Sequence, residues 1–288
     1  MKNFLLAIVS LLFISCASDS AGTGDLPSNL PAKDEANIAY GTHAQQKYDI
    51  YLPAGRNAAT TKVFIFIHGG GWVGGDKADL NSGIPTMKQH YFPKYAIVNM
   101  NYVLGNVFAP GYALPNQIDD IQAVINHIKS KSQEYQVKPE FVLCGYSAGG
   151  HLSMFYAYKQ HNPEVKAVVN IVGPADFNTP SWIGNPVSGI FANLVNPAVV
   201  PSGMTIATYA SPVTWVTNSS APTISFYGSA DTTVNANENR ASLDAKLNQF
   251  GVANESYIYT GDHMDWALEP EFSWMLGKTK TFLNAHNP

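Results

Sequence analysis

Cysteine is nearly absent from this chain, with only Cys16 and Cys144 in 288 residues. That scarcity excludes a fold stapled by disulfides. Charge is sparse as well. Asp, Glu, Lys and Arg make up 13% of the residues, and Lys plus Arg at 17 against Asp plus Glu at 21 leave a net charge of −4. No basic run is present that would neutralise a row of phosphates, so nucleic acid is not an expected partner. Internal repeats are missing, and Gly 23 and Pro 18 are scattered, which excludes collagen-like and wholly disordered architectures. The N-terminal apolar stretch from Phe4 to Ile14 covers 11 residues, too few to span a bilayer, which takes about 20. What is there is a 45% hydrophobic chain, ample for a sizeable buried core.

Lys2, the apolar stretch and small Ser15 follow the order of a secretory signal. Cys16 directly after that small residue resembles the lipobox of bacterial lipoproteins, with Phe13 where that motif usually carries Leu. The resemblance implies cleavage before Cys16 and acylation of the new N-terminus. Residues 1–15 are therefore expected to be a signal peptide, 16–37 a flexible tether rich in Ser, Ala, Gly, Asn and Pro, and 38–288 a single folded domain. The expected location is outside the cytoplasm, as a lipid-anchored protein of the bacterial envelope, periplasmic or associated with the outer membrane. Membrane contact would run only through that anchor, and Cys144 would remain an unpaired thiol.

From Lys47 onward, strands and helices alternate. Tyr48–Leu52 alternates like a strand near a sheet edge, whereas Val63–Ile67 is apolar throughout and reads as a strand covered on both faces. Ala96–Met100, Phe141–Cys144, Val165–Ile171, Thr223–Tyr227 and Ser256–Tyr259 are further expected strands. A helix opening at Leu114-Pro115 carries Ile118, Ile121, Val124, Ile125 and Ile128 on one face, and others are expected at Ala148–Gln160, Ala236–Phe250 and Phe272–Asn284. Such strand–helix–strand units demand parallel pairing, giving an α/β fold with a mostly parallel twisted sheet and helices on both faces. Between about 173 and 221, six prolines interrupt a Ser/Thr/Asn-rich stretch that still holds Phe177, Trp182, Phe191 and Trp215. It reads as a small cap or lid inserted into the domain, whose aromatics need a surface to cover.

Gly145-Tyr146-Ser147-Ala148-Gly149-Gly150 lies between an apolar strand and a helix, the setting of a nucleophile elbow that exposes a serine hydroxyl at the sheet edge. His68-Gly69-Gly70-Gly71-Trp72 directly follows another apolar strand and matches a glycine-rich oxyanion loop. A tetrahedral intermediate carries negative charge, and backbone N–H donors held in place stabilise it. The donors are assigned to Gly70, Gly71 and Ala148, with His68 a structural residue of the loop. Gly69-x-Gly71-x-x-Gly74 also fits a dinucleotide fingerprint, but the stretch Gln89–Tyr95 where a ribose-binding acid is expected has none. No Gly-Lys-Ser/Thr phosphate loop is present either, so a nucleotide cofactor is not expected.

An activated serine needs a base. Chain order of nucleophile, acid and then histidine leaves His151, His161, His263 and His286. His263, in a loop after the last strand, is the choice, because His151 is inside the following helix, His161 at its end and His286 near the C-terminus. Asp231, just past the strand Thr223–Tyr227, is the favoured orienting acid, with Asp262 and Asp265 as rivals. Trp72 and Tyr146 are candidate substrate-binding residues, alongside Phe177 and Trp182.

Taken together, these motifs resemble those of α/β-hydrolase fold carboxylesterases, and in particular the bacterial esterases grouped with feruloyl and acetyl-xylan esterases. The resemblance runs over residues 38–285. It rests on Tyr-Asp-Ile-Tyr-Leu-Pro at 48–53, His68–Trp72 followed by Gly75-Asp76-Lys77, Asn101-Tyr102, Gly145–His151, Ser211-Pro212-Val213 and Gly228–Val234. Asp262-His263-Met264-Asp265-Trp266 departs from the Gly-His-Gly type more usual in that group. The resemblance implies hydrolysis of a small-molecule or polysaccharide-linked ester through an acyl-enzyme, a route that needs no cofactor and no metal. Amide or formamide hydrolysis on the same fold, peptidase activity, and an inactive binding protein are the alternatives.

Overall fold

The computed structural model describes residues 29–107, 111–183 and 186–287. The expected signal peptide and Cys16 lie outside them. Among the described residues an eight-stranded sheet runs β1 (Lys33–Ala39), β2 (Lys47–Leu52), β3 (Val63–Ile67), β4 (Ala96–Met100), β5 (Phe141–Tyr146), β6 (Val165–Ile171), β7 (Thr223–Gly228) and β8 (Asn254–Tyr259). Their spatial order is β1-β2-β4-β3-β5-β6-β7-β8. Strands β4, β3, β5, β6, β7 and β8 are parallel, while β1 and β2 add antiparallel at one edge. This is an α/β-hydrolase sheet.

The long helices are α1 (Asn116–Ser130), α2 (Ala148–Gln160), α3 (Ala236–Gln249) and α4 (Glu271–His286). Side chains along β3 alternate between two cores. Val63, Ile65 and Ile67 join Ile118, Ile121 and Ile125 of α1, Leu152 of α2 and Leu243 of α3 on one face. Phe64 and Phe66 face the other way, against Leu80, Met87, Phe92 and the Phe272, Met275 and Leu276 stripe of α4. An apolar run with no polar alternation is the consequence of burying both faces. Cys144 lies inside this second core on β5, fully enclosed, and burial holds its thiol pKa well above the ordinary value.

The tether expected through residue 37 ends sooner than the composition implied. Lys33–Ala39 forms the edge strand β1, with a register break between Glu35 and Ile38. Two hydrogen bonds help to hold this segment to the sheet: Asn37 N–H donates to Asp49 Oδ1 at 2.7 Å, and the Tyr40 hydroxyl donates to the Asn101 carbonyl at 2.8 Å. Between β6 and β7 the chain makes short helical pieces, Pro180–Ile183, Pro186–Ala192, Pro197–Val199, Ile206–Ala210 and Pro212–Trp215. Phe177, Trp182 and Phe191 of this insertion pack on Trp72, while Trp215 packs on Phe155 and Tyr209.

Candidate active site

Four parallel strands end at one edge of the sheet and deliver the polar residues there. Ser147 follows β5, the glycine loop follows β3, Asp231 lies past β7 and His263 past β8. Such carboxyl ends are where open α/β sheets form their sites.

Ser147 has φ 52° and ψ −121°, a backbone conformation costly for any residue with a side chain. Its surroundings hold it there: Ser147 N–H donates to Ile171 O at 2.8 Å, and Ser147 O accepts from His151 N–H at 3.0 Å. The flanking glycines are required by contact. A Cβ on Gly145 would sit 2.3 Å from the Gly149 backbone, and one on Gly149 would sit 2.0 Å from Ile67 O.

The serine hydroxyl lies 2.9 Å from His263 Nε2, and His263 Nδ1 lies 2.7 Å from Asp231 Oδ2. The Asp231 side chain has no exposed surface. Its other oxygen accepts the backbone N–H groups of Thr233 and Val234, both at 2.8 Å, so the carboxylate is fixed before it meets the imidazole. Asp262 and Asp265 have different work. Asp262 Oδ1 accepts from His263 N–H at 2.7 Å, and Asp265 Oδ2 accepts from Asp262 N–H at 2.8 Å, so both shape the loop and neither holds the ring. With Asp231 accepting at Nδ1, Nε2 is free to receive the Ser147 proton.

Gly70, Gly71 and Trp72 all take positive φ, at 103°, 59° and 65°. The Gly70 carbonyl is turned inward to accept from Val73 and Gly74 at 3.2 and 2.9 Å. Ala148 opens α2, where helical geometry leaves a backbone N–H without an intrahelical acceptor. His68 lies beneath the loop: its Nδ1 donates to Gly69 O at 2.7 Å, its ring stacks on Tyr102 at 4.2 Å, and burial lowers its pKa. The Asp76-Lys77 and Asn101-Tyr102 pairs brace the loop from behind. Lys77 Nζ meets buried Asp49 at 2.7 Å, Asn101 Nδ2 donates to Asp76 at 2.8 Å, and the Tyr102 hydroxyl donates to the carbonyls of His68 and Gly69.

A cleft of about 370 Å³ is lined by Gly70, Gly71, Trp72, Tyr146, Ser147 and His263 together with Pro174, Trp182, Thr233, Val234 and Met264. Trp72, Tyr146 and Trp182 border it, while Phe177 is fully buried and packs against Trp182. The Trp72 ring is nevertheless only 4% exposed and commits its N–H to His151. The Tyr146 hydroxyl donates to Asp79 Oδ2 at 3.0 Å, and burial followed by the Asp79 charge pushes its pKa up to about 12. A recess of about 280 Å³ adjoins the cleft across Trp182 and Thr233 and presents Ser181, Thr232, Asn235 and Asn239. Pro174, Thr233, Val234 and Met264 carry no substrate-binding assignment from the sequence, although three of them sit within three residues of Asp231 or His263.

The family model described as BD-FAE matches residues 48–247. The chain is similar to Esterase LipC of Mycobacterium tuberculosis, with 24% identity over 224 residues covering 72% of this chain and 53% of LipC. It is 27% identical over 167 residues to arylacetamide deacetylase of Oryctolagus cuniculus, covering 54% of this chain and 41% of that protein. The chain thus spans about half the length, or less, of these curated relatives. Among solved structures, a truncated carbohydrate esterase from gut microbiota superposes with a TM-score of 0.67 at 20% identity, covering 89% of this chain and 98% of that one. Esterase B from Lactobacillus rhamnosis, inhibited by a tributyrin phosphonate, gives a TM-score of 0.68 at 20% identity, covering 88% of this chain and 86% of that one.

Proposed function

The chain belongs to the BD-FAE family, and from that premise we propose that it is a serine carboxylic-ester hydrolase working through an acyl-enzyme. The observation that carries this reading is the continuous hydrogen-bond line from Ser147 Oγ through His263 to Asp231, opening on the cleft. In this reading Ser147 Oγ attacks the ester carbonyl while His263 Nε2 takes its proton, and buried Asp231 stabilises the imidazolium. The amides of Gly70, Gly71 and Ala148 receive the oxyanion. Collapse of the tetrahedral intermediate expels the alcohol, protonated by His263, and a water activated by the same imidazole then releases the acid.

The substrates in this proposal are short-chain acyl or hydroxycinnamoyl esters such as those decorating plant polysaccharides. The cleft supports the acyl half, since Trp182, Pro174, Val234 and Met264 give it apolar walls of modest reach. The adjoining recess, with its hydroxyl and amide side chains, suits a polar alcohol. The likeness to a carbohydrate esterase from gut microbiota supports the same reading. The secretory-signal order of residues 1–15 and the lipobox-like position of Cys16 support a reaction outside the cytoplasm, on a lipid-anchored envelope protein.

The test is hydrolysis of chromogenic acetyl, butyryl, octanoyl and feruloyl esters, with an anilide of the same acid beside them and Ser147→Ala as control. Serine-dependent turnover of acetyl or feruloyl ester above the others is expected. No ester turnover by folded protein, or turnover that survives Ser147→Ala, overturns the proposal, and preference for the anilide moves the reaction to amides.

A further inference from the structure

His151 has no part in the proton transfers above, yet its imidazole is completely buried one helical turn past Ser147. Both ring nitrogens reach segments outside its own helix. The indole N–H of Trp72 donates to His151 Nδ1 at 3.1 Å, and an indole can only donate, so the His151 proton resides on Nε2. Nε2 in turn donates to the carbonyl of Ala210 at 2.9 Å, immediately before the Ser211-Pro212 step of the cap.

Trp72 directly follows Gly70 and Gly71. Its φ of 65° is a conformation that bulky side chains rarely adopt and that persists only where the surroundings over-determine it. Its carbonyl accepts from Gly105 N–H and from Gln117 Nε2, each at 2.8 Å, and its ring lies 4.2 Å from that of Phe191. The bond to His151 adds a direct polar link to the helix that carries the nucleophile.

We propose that His151 is a positioning residue for the oxyanion loop: acting through Trp72, it holds Gly70 and Gly71 in register with Ser147, and through Ala210 it ties the cap to the same helix. The inference rests on the esterase reading. Loop amides displaced by a fraction of an ångström still admit the ester but meet the developing oxyanion poorly, so the loss falls on kcat.

The test uses chromogenic acetyl ester and the variants His151→Phe, His151→Asn, His151→Gln, Trp72→Phe and the double variant Trp72→Phe/His151→Phe. An Asn side chain puts its oxygen where Nδ1 stood and restores an acceptor for Trp72, whereas Gln puts an amide near Nε2 and serves Ala210. His151→Phe is expected to lower kcat by about 10- to 100-fold with KM within about 3-fold, the size of loss that small misplacements produce. His151→Asn should recover part of kcat and His151→Gln should not, and the double variant should be no worse than the slower single variant. Additive losses, a lower melting temperature with kcat intact, or rescue by Gln and not Asn would overturn the inference. Should His151→Phe fail to fold, Trp72→Phe and the Asn–Gln comparison still decide it. Wild-type turnover, lost in Ser147→Ala, tests the esterase reading separately.

Discussion

The Cα of Gly149 faces the carbonyl oxygen of Ile67 so closely that a methyl group there would lie 2.0 Å from it. This contact brings the first turn of α2 onto the end of β3, where the glycine loop begins. Gly149→Ala is accordingly expected to cost about 3 kcal/mol or more, because backbone and not a pliable side chain must move. Gly189, in the short helix Pro186–Ala192, has nothing within 4 Å of its would-be Cβ. Gly189→Ala should gain up to about 1 kcal/mol from helix propensity. Urea unfolding of both variants checks the contrast, and equal effects would contradict it.

Asp231→Asn should reduce kcat on the order of 10⁴-fold while leaving the fold intact, since an amide there favours the wrong imidazole tautomer. Asp262→Asn should stay within about 10-fold, because that carboxylate holds backbone N–H groups and not the ring. Steady-state kinetics on one ester distinguish them, and a larger loss in Asp262→Asn would move the orienting role to that residue.

Tyr146 stands next to the nucleophile but stays a neutral phenol across the working range, because its pKa is pushed up to about 12. Tyr146→Phe should therefore leave the shape of the pH–rate profile unchanged and kcat within about 5-fold. Loss of its bond to Asp79 should cost about 1 kcal/mol of stability, read from thermal melts.

Burial lowers the pKa of His151 from 6.5 to about 4 and that of His68 in the same direction. Between the folded and unfolded values the unfolded chain binds protons that the native one refuses, so stability rises with pH there. The contribution is complete above about pH 6.5 and is lost progressively as pH falls toward 4. Melting temperatures measured from pH 7 to pH 4 should fall, and His151→Asn, which removes one of these groups, should fall less steeply.

The residues that were legible in advance share one property: their role follows from neighbours along the chain. Val63–Ile67, Ala96–Met100 and Val165–Ile171 form strands with the predicted ends, because short, mostly apolar runs rich in Val and Ile suit strands covered on both faces. Ser147, Asp231 and His263 converge because each follows a strand of one parallel sheet. What escaped depends on remote partners. Lys33–Ala39 has the polar composition of a loop and becomes a strand by adding to the outside of β2. The short helices of the cap are too broken by proline for periodicity to show. The sequence sets His151 aside as a base because it lies inside the helix, and only the fold brings Trp72 and Ala210 to its two nitrogens.

Cys144 sits on β5 three residues before Ser147 and is sealed in the core beneath it. Its sulfur is thereby a built-in clock for the elbow. A thiol reagent reaches it only when this strand is laid open, so its labelling rate in native buffer reports how often the nucleophile's own support comes apart, without any probe being added to the cleft.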